Sequence, residues 1–392
     1  MSKNKLALNF ICKNESHIIL EMLESIKDIT DLIVFNDTGS TDNTIEVIME
    51  FGQKNNIPTY CFEREFDNFS NSRNYALEKL KEVVSELNWN PNDVYHYWID
   101  CDEVMIVDKF KKSDLLLDFY MIDVRIENSN YTRNTFFRLS KDIRWVGPIH
   151  EYLHSEDKNI TTGKLSGITT NARMLGNSWT GDLSKKYKKY SILLENYIND
   201  VDRNPRWVFY TAQSYFDSAL TNTNPKERKE LFRRSLYYYN ERLTMKSGIN
   251  EEVYWSQFRI SCIYDELEYP INEISSSYLK TYDMDPLRVE PIMKLVDLYI
   301  KFKKFNMAYI YTSYMMKEHL GKFPYPTRML FLDESMYKWR ILDIHCAVCY
   351  YTNRKDEGKD FYKNLIDIMK SNTHLFNQDD INKINNNSKY YL

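Results

Sequence analysis

The chain has 392 residues, and 43% of them are apolar, enough for more than one core. Gly and Pro number only 10 each, which excludes collagen-like and linker-like chains. With 52 Lys+Arg against 56 Asp+Glu the net charge is −4, which argues against one broad basic face for nucleic acid.

No apolar run approaches the ~18 residues that a membrane helix needs. The basic, then apolar, N-terminus reads as a first strand and not as a signal peptide. Six scattered cysteines in a chain of this size need no disulfide framework, so a reducing, cytoplasmic setting is expected.

In chain order, Leu6–Ile11 reads as a strand, and Ser16–Lys27 has helical apolar spacing. A short strand at Leu32–Phe35 follows, then a helix over Asp42–Phe51 capped by Thr41 or Asp42. Ile57–Phe62 is a third strand, Ser70–Leu87 a long helix, and Val94–Ile99 a fourth strand. This alternation predicts a mostly parallel sheet with helices on its faces. Phe119–Leu139 reads as two antiparallel strands extending that sheet.

After about Leu183 strand signals vanish and aromatic-rich helices follow, starting near Trp207, Val253, Pro291 and Tyr337. Tyr215, Tyr264, Tyr299 and Tyr350 are spaced by 49, 35 and 51 residues, one interval near the ~34-residue tetratricopeptide period. A degenerate helix-hairpin array and an irregular helical bundle both fit. The expected domains are 1–183 (α/β) and 184–392 (all-α, tetratricopeptide-like), with a fraying Asn-rich tail from Asn377.

Four segments offer chemistry. Asp37-Thr38-Gly39-Ser40-Thr41-Asp42 follows the second strand, where ligands of open α/β sheets sit, and Asp37 can accept hydrogen bonds from a nucleoside. Read alone, it is also ordinary turn chemistry. Asp100-Cys101-Asp102-Glu103 ends the fourth strand, and two carboxylates at D-x-D spacing suit Mg²⁺ or Mn²⁺. Phe69-Ser70-Asn71-Ser72-Arg73-Asn74 opens a helix, where Arg73 favours an anion. Trp145-Val146-Gly147-Pro148-Ile149-His150-Glu151 offers His150 as a metal ligand or diphosphate contact and Glu151 as a general base.

Together with Ile11–Glu15, these segments resemble glycosyltransferase family 2 in order and spacing over roughly residues 5–155. The helical remainder is similar to the members that carry tetratricopeptide repeats. The resemblance implies a GT-A (nucleotide-diphospho-sugar transferase) fold and a metal-dependent, inverting transfer of a hexose from a UDP-sugar to a protein, peptide or glycan. It implies that Glu15 and Asp37 hold the uridine, Arg73 the base or diphosphate, and Asp100 the ribose or sugar. Asp102 would bind the cation, Mn²⁺ or Mg²⁺, with His150. Glu151, then Glu103, is nominated as the base. Lys13 and the lack of a short acidic motif after the D-x-D depart from the commonest pattern.

A nucleotidyltransferase would carry a Gly-rich loop where Cys12-Lys13-Asn14-Glu15 stands. A non-enzymatic adaptor is the other alternative, against which the intact aspartates count. Cys346-Ala347-Val348-Cys349 beside His345 has C-x-x-C spacing but no partner pair, so it reads as core packing.

Overall fold

Successive residues of β1 and β2 are apolar, so both faces of the sheet must be covered. In β1 (Lys5–Cys12), Leu6, Leu8 and Phe10 point to one face and Ala7 to the other. In β2 (Leu32–Asp37), Ile33 and Phe35 share the first face, and Leu32 and Val34 the second. The computed structural model describes residues 3–126, 129–177, 181–322 and 330–391. It divides into two units, Met1–Arg203 and Asn204–Leu392.

In the first unit, α1 (Ile19–Ile26) buries Ile19, Met22, Leu23 and Ile26, the i, i+3, i+4, i+7 stripe of an amphipathic helix. It shares the first face with α2 (Thr44–Asn55), through Ile48 and Phe51. The opposite face is covered by α3 (Phe69–Glu86), through Leu77, Leu80, Val83 and Val84. The side chain of Asn9, the one polar residue inside β1, ties β1 to β2 and to α3 by donating to Val34 O and Ala76 O, each at 2.9 Å.

With β3 (Thr59–Glu63), β4 (Val94–Tyr97), β5 (Glu103–Val107), β6 (Phe119–Ile126), β7 (Ser129–Arg138) and β10 (Thr162–Ala172), the sheet has the order β3-β2-β1-β4-β7-β6-β10-β5. The first four strands are mutually parallel. β7 runs antiparallel to β4 and β6, as the sequence predicts for Phe119–Leu139. Chain order reverses beside β1: β2 and β3 lie on one side of it and β4 on the other. Right-handed crossovers require the covering helices to change face there, and a crevice opens at the strands' carboxyl ends.

The short strands β5, β8 (Arg144–Val146), β9 (Tyr152–His154) and the longer β10 are additions to the sequence reading. β10 carries Gly, Lys, Ser, Thr and Asn, so its alternation is masked, and only Leu165, Ile168 and Thr170 are buried. Its register shifts between Lys164 and Thr169. Gly167, at φ +74, lies so close to Phe110 N that a Cβ would meet it at 2.9 Å.

The second unit is all helical from α5 (Pro205–Thr221; α4, Leu183–Asp200, belongs to the first unit) through α6 (Pro225–Thr244), α7 (Asn250–Glu266), α8 (Ile271–Met284), α9 (Glu290–Lys301) and α10 (Phe305–Glu318). α11 (Ile341–Tyr351), α12 (Lys355–Ser371) and α13 (Gln378–Asn387) complete it. Consecutive helices pack on one another as hairpins. Asn204 and Asn224 cap α5 and α6 ahead of prolines at the first helical position. Aromatic rings fill the joints, as in the Tyr215–Tyr238 stack at 6.0 Å and the Phe216–Phe232 edge contact at 5.5 Å.

The expectation of a fraying tail is overturned. Asn377 and Asp380 form a reciprocal capping box, Ile384 is fully buried, and the Tyr362 hydroxyl donates to Ile384 O at 2.8 Å. One apolar stripe among many asparagines is enough to dock the helix. Ile384→Ala should therefore lower stability by about 2–4 kcal/mol. Chemical denaturation followed by circular dichroism checks this; an unchanged midpoint would mean that the tail is not docked.

His96 in β4 stacks on Phe137 with ring centroids 4.2 Å apart, and burial, with the charge of Arg73 adding, pushes its pKa down to about 3. The unfolded chain then binds a proton that the native chain refuses, so stability falls as pH drops from about 6.5 to about 3. His96→Leu should remove that dependence. Its unfolding free energy, compared with the parent's across this window, should gain steadily towards acid. A pH-independent difference would refute the assignment.

Candidate active site

The loops leaving β1 and β2 are zipped together by short polar side chains. Asn14 Oδ1 accepts from Thr41 N at 2.7 Å, Asn14 N donates to Ser40 Oγ at 2.9 Å, and Glu15 N donates to Thr44 Oγ1 at 2.8 Å. Asp42 accepts from Ser16 and Thr44, which holds it below the usual aspartate range despite partial burial. Gly39 sits at φ +106, a conformation that favours glycine, and the Lys13 ammonium lies 3.6 Å from where a Cβ would be.

Asp37 is 1% exposed. It accepts from Gly39 N at 2.9 Å, Ser40 N at 2.7 Å, the Ser40 hydroxyl, and the Cys12 thiol at 3.7 Å. These bonds use the acceptor sites of one carboxylate. Asp37 thereby fixes the turn that carries Gly39 and Ser40.

Glu15 and Asp102 converge. A Cβ on Gly176 would lie 3.2 Å from Asp102 Oδ2 and 3.3 Å from Glu15 Oε1. Gly176 N donates to Asp102 Oδ2, and Asn177 N to both Glu15 oxygens, each at 3.1 Å. Burial pushes the Glu15 carboxyl up, the Asn177 N–H opposes this, and the Asp102 and Asp42 charges reinforce it. Arg173 Nε donates to Asp102 O at 3.3 Å, and burial pushes the Lys186 ammonium down while the Asp102 charge raises it.

A second cluster centres on Arg73, near the start of α3 and 6% exposed. Its Nη2 donates to Asp100 Oδ1 at 2.7 Å and its Nε to Glu151 Oε1 at 2.8 Å. Its guanidinium lies 4.6 Å from the Trp98 ring centre and 4.9 Å from that of Trp145. Asn74 holds Trp145 in place, accepting from Trp145 N at 2.8 Å and donating to Trp145 O at 2.9 Å. Arg133 lies over Trp98 at 4.0 Å and grips both oxygens of Glu103 at 2.7 Å. Burial pushes Asp100 up, but Arg73 and Arg133 outweigh it and hold the carboxyl low. His150 is exposed, with φ +54, beside Glu151.

Residues 10–113 match the family model described as glycosyl transferase family 2. Over those residues the first unit is similar to glycosyltransferase family 2. Its sheet is mixed and mostly parallel, as the resemblance implies. Two curated relatives, the SPbeta prophage-derived glycosyltransferase SunS of Bacillus subtilis (strain 168) and the glycosyltransferase SunS of Bacillus phage SPbeta, are each 25% identical over 214 residues. These cover 51% of this chain and 46% of theirs, so the match spans about half the length of those relatives. Among solved structures, S. aureus TarS 1–349 in complex with UDP is 13% identical, covering 82% of this chain and 94% of that chain at a TM-score of 0.34. A tetratricopeptide repeat protein from Parabacteroides merdae ATCC 43184 is 12% identical over 50% of this chain and 70% of that one, at 0.27. Neither likeness is close enough to bear on the chemistry of the site.

The family 2 region includes Glu15, Asp37, Arg73, Asp100, Asp102 and Glu103, and ends before His150 and Glu151. The structure joins the two stretches through Arg73, which bonds Asp100 from one and Glu151 from the other. Sequence reasoning missed Arg133, Trp98, Gly176 and Asn177, and gave no role to Asn74. Asn74 closes one motif and Trp98 adjoins another, but Arg133 and Gly176 meet the site only through the fold, Gly176 reaching Asp102 across 74 positions.

Arg73→Leu leaves Asp100 and Glu151 without their shared cation, and should destabilise the chain by about 3–5 kcal/mol. Thermal and denaturant unfolding test this. Arg73→Lys should recover only part of the loss, because an ammonium cannot bridge both carboxylates with a fixed fork.

Proposed function

We propose that the chain is an inverting glycosyltransferase that moves a hexose from a UDP-sugar to a hydroxyl or other nucleophile of a protein, peptide or glycan. The observation that carries this reading is the convergence of Glu15 and Asp102 at the carboxyl edge of the parallel strands. Asp100, two residues before Asp102 in the same loop, bonds Arg73.

Under this reading Glu15 and the turn fixed by Asp37 hold the nucleoside, and Arg73 and Asp100 orient the diphosphate and the sugar. Asp102 is a hard oxygen donor that suits Mn²⁺ or Mg²⁺, whereas among the described residues His150 forms no three-donor cluster with it. Such a cation supplies charge stabilisation to the departing diphosphate. Gly176 and Asn177 now occupy the Asp102 and Glu15 carboxylates, and their N–H groups are displaced when the donor enters.

Glu103 spends both oxygens on Arg133, whereas Glu151 has a hydrogen-bond partner among the described residues on Oε1 alone. Glu151 is therefore preferred as the base. Its free oxygen takes the acceptor's proton as the acceptor oxygen bonds the anomeric carbon. The bond from that carbon to the diphosphate breaks, and UDP leaves with the electron pair. Attack from the opposite face inverts the anomeric centre.

UDP release in the presence of Mn²⁺, measured across a set of UDP-hexoses, tests the reading. Asp102→Ala should lower kcat at least about 100-fold. Equal turnover in parent and variant would remove the carboxylate site from the mechanism.

A further inference from the structure

The C-x-x-C segment does not pack as a bare cysteine pair. His345 and Cys349, four residues apart on α11, share a helix face, and Glu357 reaches them from the first turn of α12. His345 Nε2 lies 3.6 Å from Cys349 Sγ and 3.5 Å from Glu357 Oε1, and the three donor atoms all lie within 4.8 Å of one another. His345 is 1% exposed and Cys349 fully buried.

Thr312 has one hydroxyl proton and donates it to Tyr309 O at 3.2 Å. Its oxygen can then accept the 2.8 Å bond from His345 Nδ1, and this tautomer, with the hydrogen on Nδ1, is the one that a cation at Nε2 requires. In the neutral ring the Nε2 lone pair then faces a carboxylate oxygen and a sulfur. The 3.5 Å N···O separation exceeds a good hydrogen bond, the 3.6 Å N···S one is also within reach of a thiol–imidazole bond, and both match donor pairs around a tetrahedral zinc-class ion. Bonds of ~2.05 Å to nitrogen or oxygen and ~2.3 Å to sulfur place N and S about 3.6 Å apart and N and O about 3.4 Å apart.

The surroundings are those of a supported site. Thr312 orients the ring from behind, and the Tyr309 hydroxyl bonds both Glu357 oxygens at 3.0 Å. Gly358 lets the two helices close, since a Cβ there would meet Cys349 Cβ at 3.0 Å. A thiolate and a carboxylate also neutralise a divalent charge.

We propose that His345, Cys349 and Glu357 bind a zinc-class divalent cation, with a water as fourth ligand, in the second unit. The site joins α10, α11 and α12 through Thr312, the two α11 ligands and Glu357.

The test uses the full chain with Co²⁺ as a visible probe and Zn²⁺ as competitor. One equivalent of Co²⁺ should give a thiolate-to-cobalt charge-transfer band, displaced by Zn²⁺. The oxygen-rich Glu15 and Asp102 pair cannot produce that band, so the result is independent of the proposed transferase site. Cys349→Ser should abolish the band. Glu357→Gln, at a partly exposed position, should weaken binding at least about 10-fold, and so should Tyr309→Phe. No band in the parent, or a band unchanged in Cys349→Ser, overturns the proposal. If Cys349→Ser does not fold, undiminished affinity in Glu357→Gln overturns it instead. An imidazolium–carboxylate pair without metal would appear as the first of these results.

Discussion

The first unit's chemistry depends on β1 having parallel partners on both sides. The ladder sets Cys12 level with Asp37, and Leu8 level with Tyr97. Carrying the second register forward four residues brings Cys101 level with Cys12, and the Cys101 thiol indeed donates to Ile11 O at 3.7 Å. Three chain exits, after Cys12, Asp37 and Tyr97, therefore leave the sheet along one edge. Because strand side chains alternate, a slip of one residue in β4 would exchange its buried faces and displace the loop that carries Asp100 and Asp102. The apolar burial on both faces of β1 and β2 makes such a slip costly, so the core itself aims the carboxylates.

Arg73 shows how that edge tolerates so much charge. A buried guanidinium loses hydration, and one carboxylate partner with poor geometry would not offset the loss. Here two carboxylates and two indole rings surround it. Trp98 also carries Arg133 on its ring, so the pairs Glu151–Arg73–Asp100 and Arg133–Glu103 are linked through one aromatic plate. Ionisable groups held at fixed charge in an enclosed edge are what a departing anion requires, since their dipoles need not reorganise during reaction.

The strands and helices up to Tyr97 were legible because their apolar periods are strong, and the helical second unit for the same reason. β5 and β8–β10 were not, since three of them are five residues or shorter and β10 is bulged and polar. Of the site, the residues within local motifs could be nominated, but their pairing could not. Nothing near Glu103 in sequence announces Arg133 across 30 positions, and nothing near Glu15 announces Asn177 across 162. The fraying tail was misjudged because asparagine content hid a single docked face, whereas Asn377 itself is a good helix cap.

The C-x-x-C spacing misled in a related way. It draws the eye to Cys346 and Cys349, yet on a helix the i, i+4 pair His345 and Cys349 projects together, and the third donor comes from the next helix. In a stack of helical hairpins stability is dominated by contacts between neighbours. A cation held by α11 and α12, with its histidine and carboxylate steadied from α10, would tie three successive helices into one cooperative block. Aromatic packing alone couples those helices pairwise, as Phe305 stacks on Tyr351 at 4.6 Å and His345 meets Phe361 edge-on at 5.0 Å. The two links differ in kind: ring packing is insensitive to chelation, while a three-helix metal clasp makes the stability of this end of the chain a function of free metal.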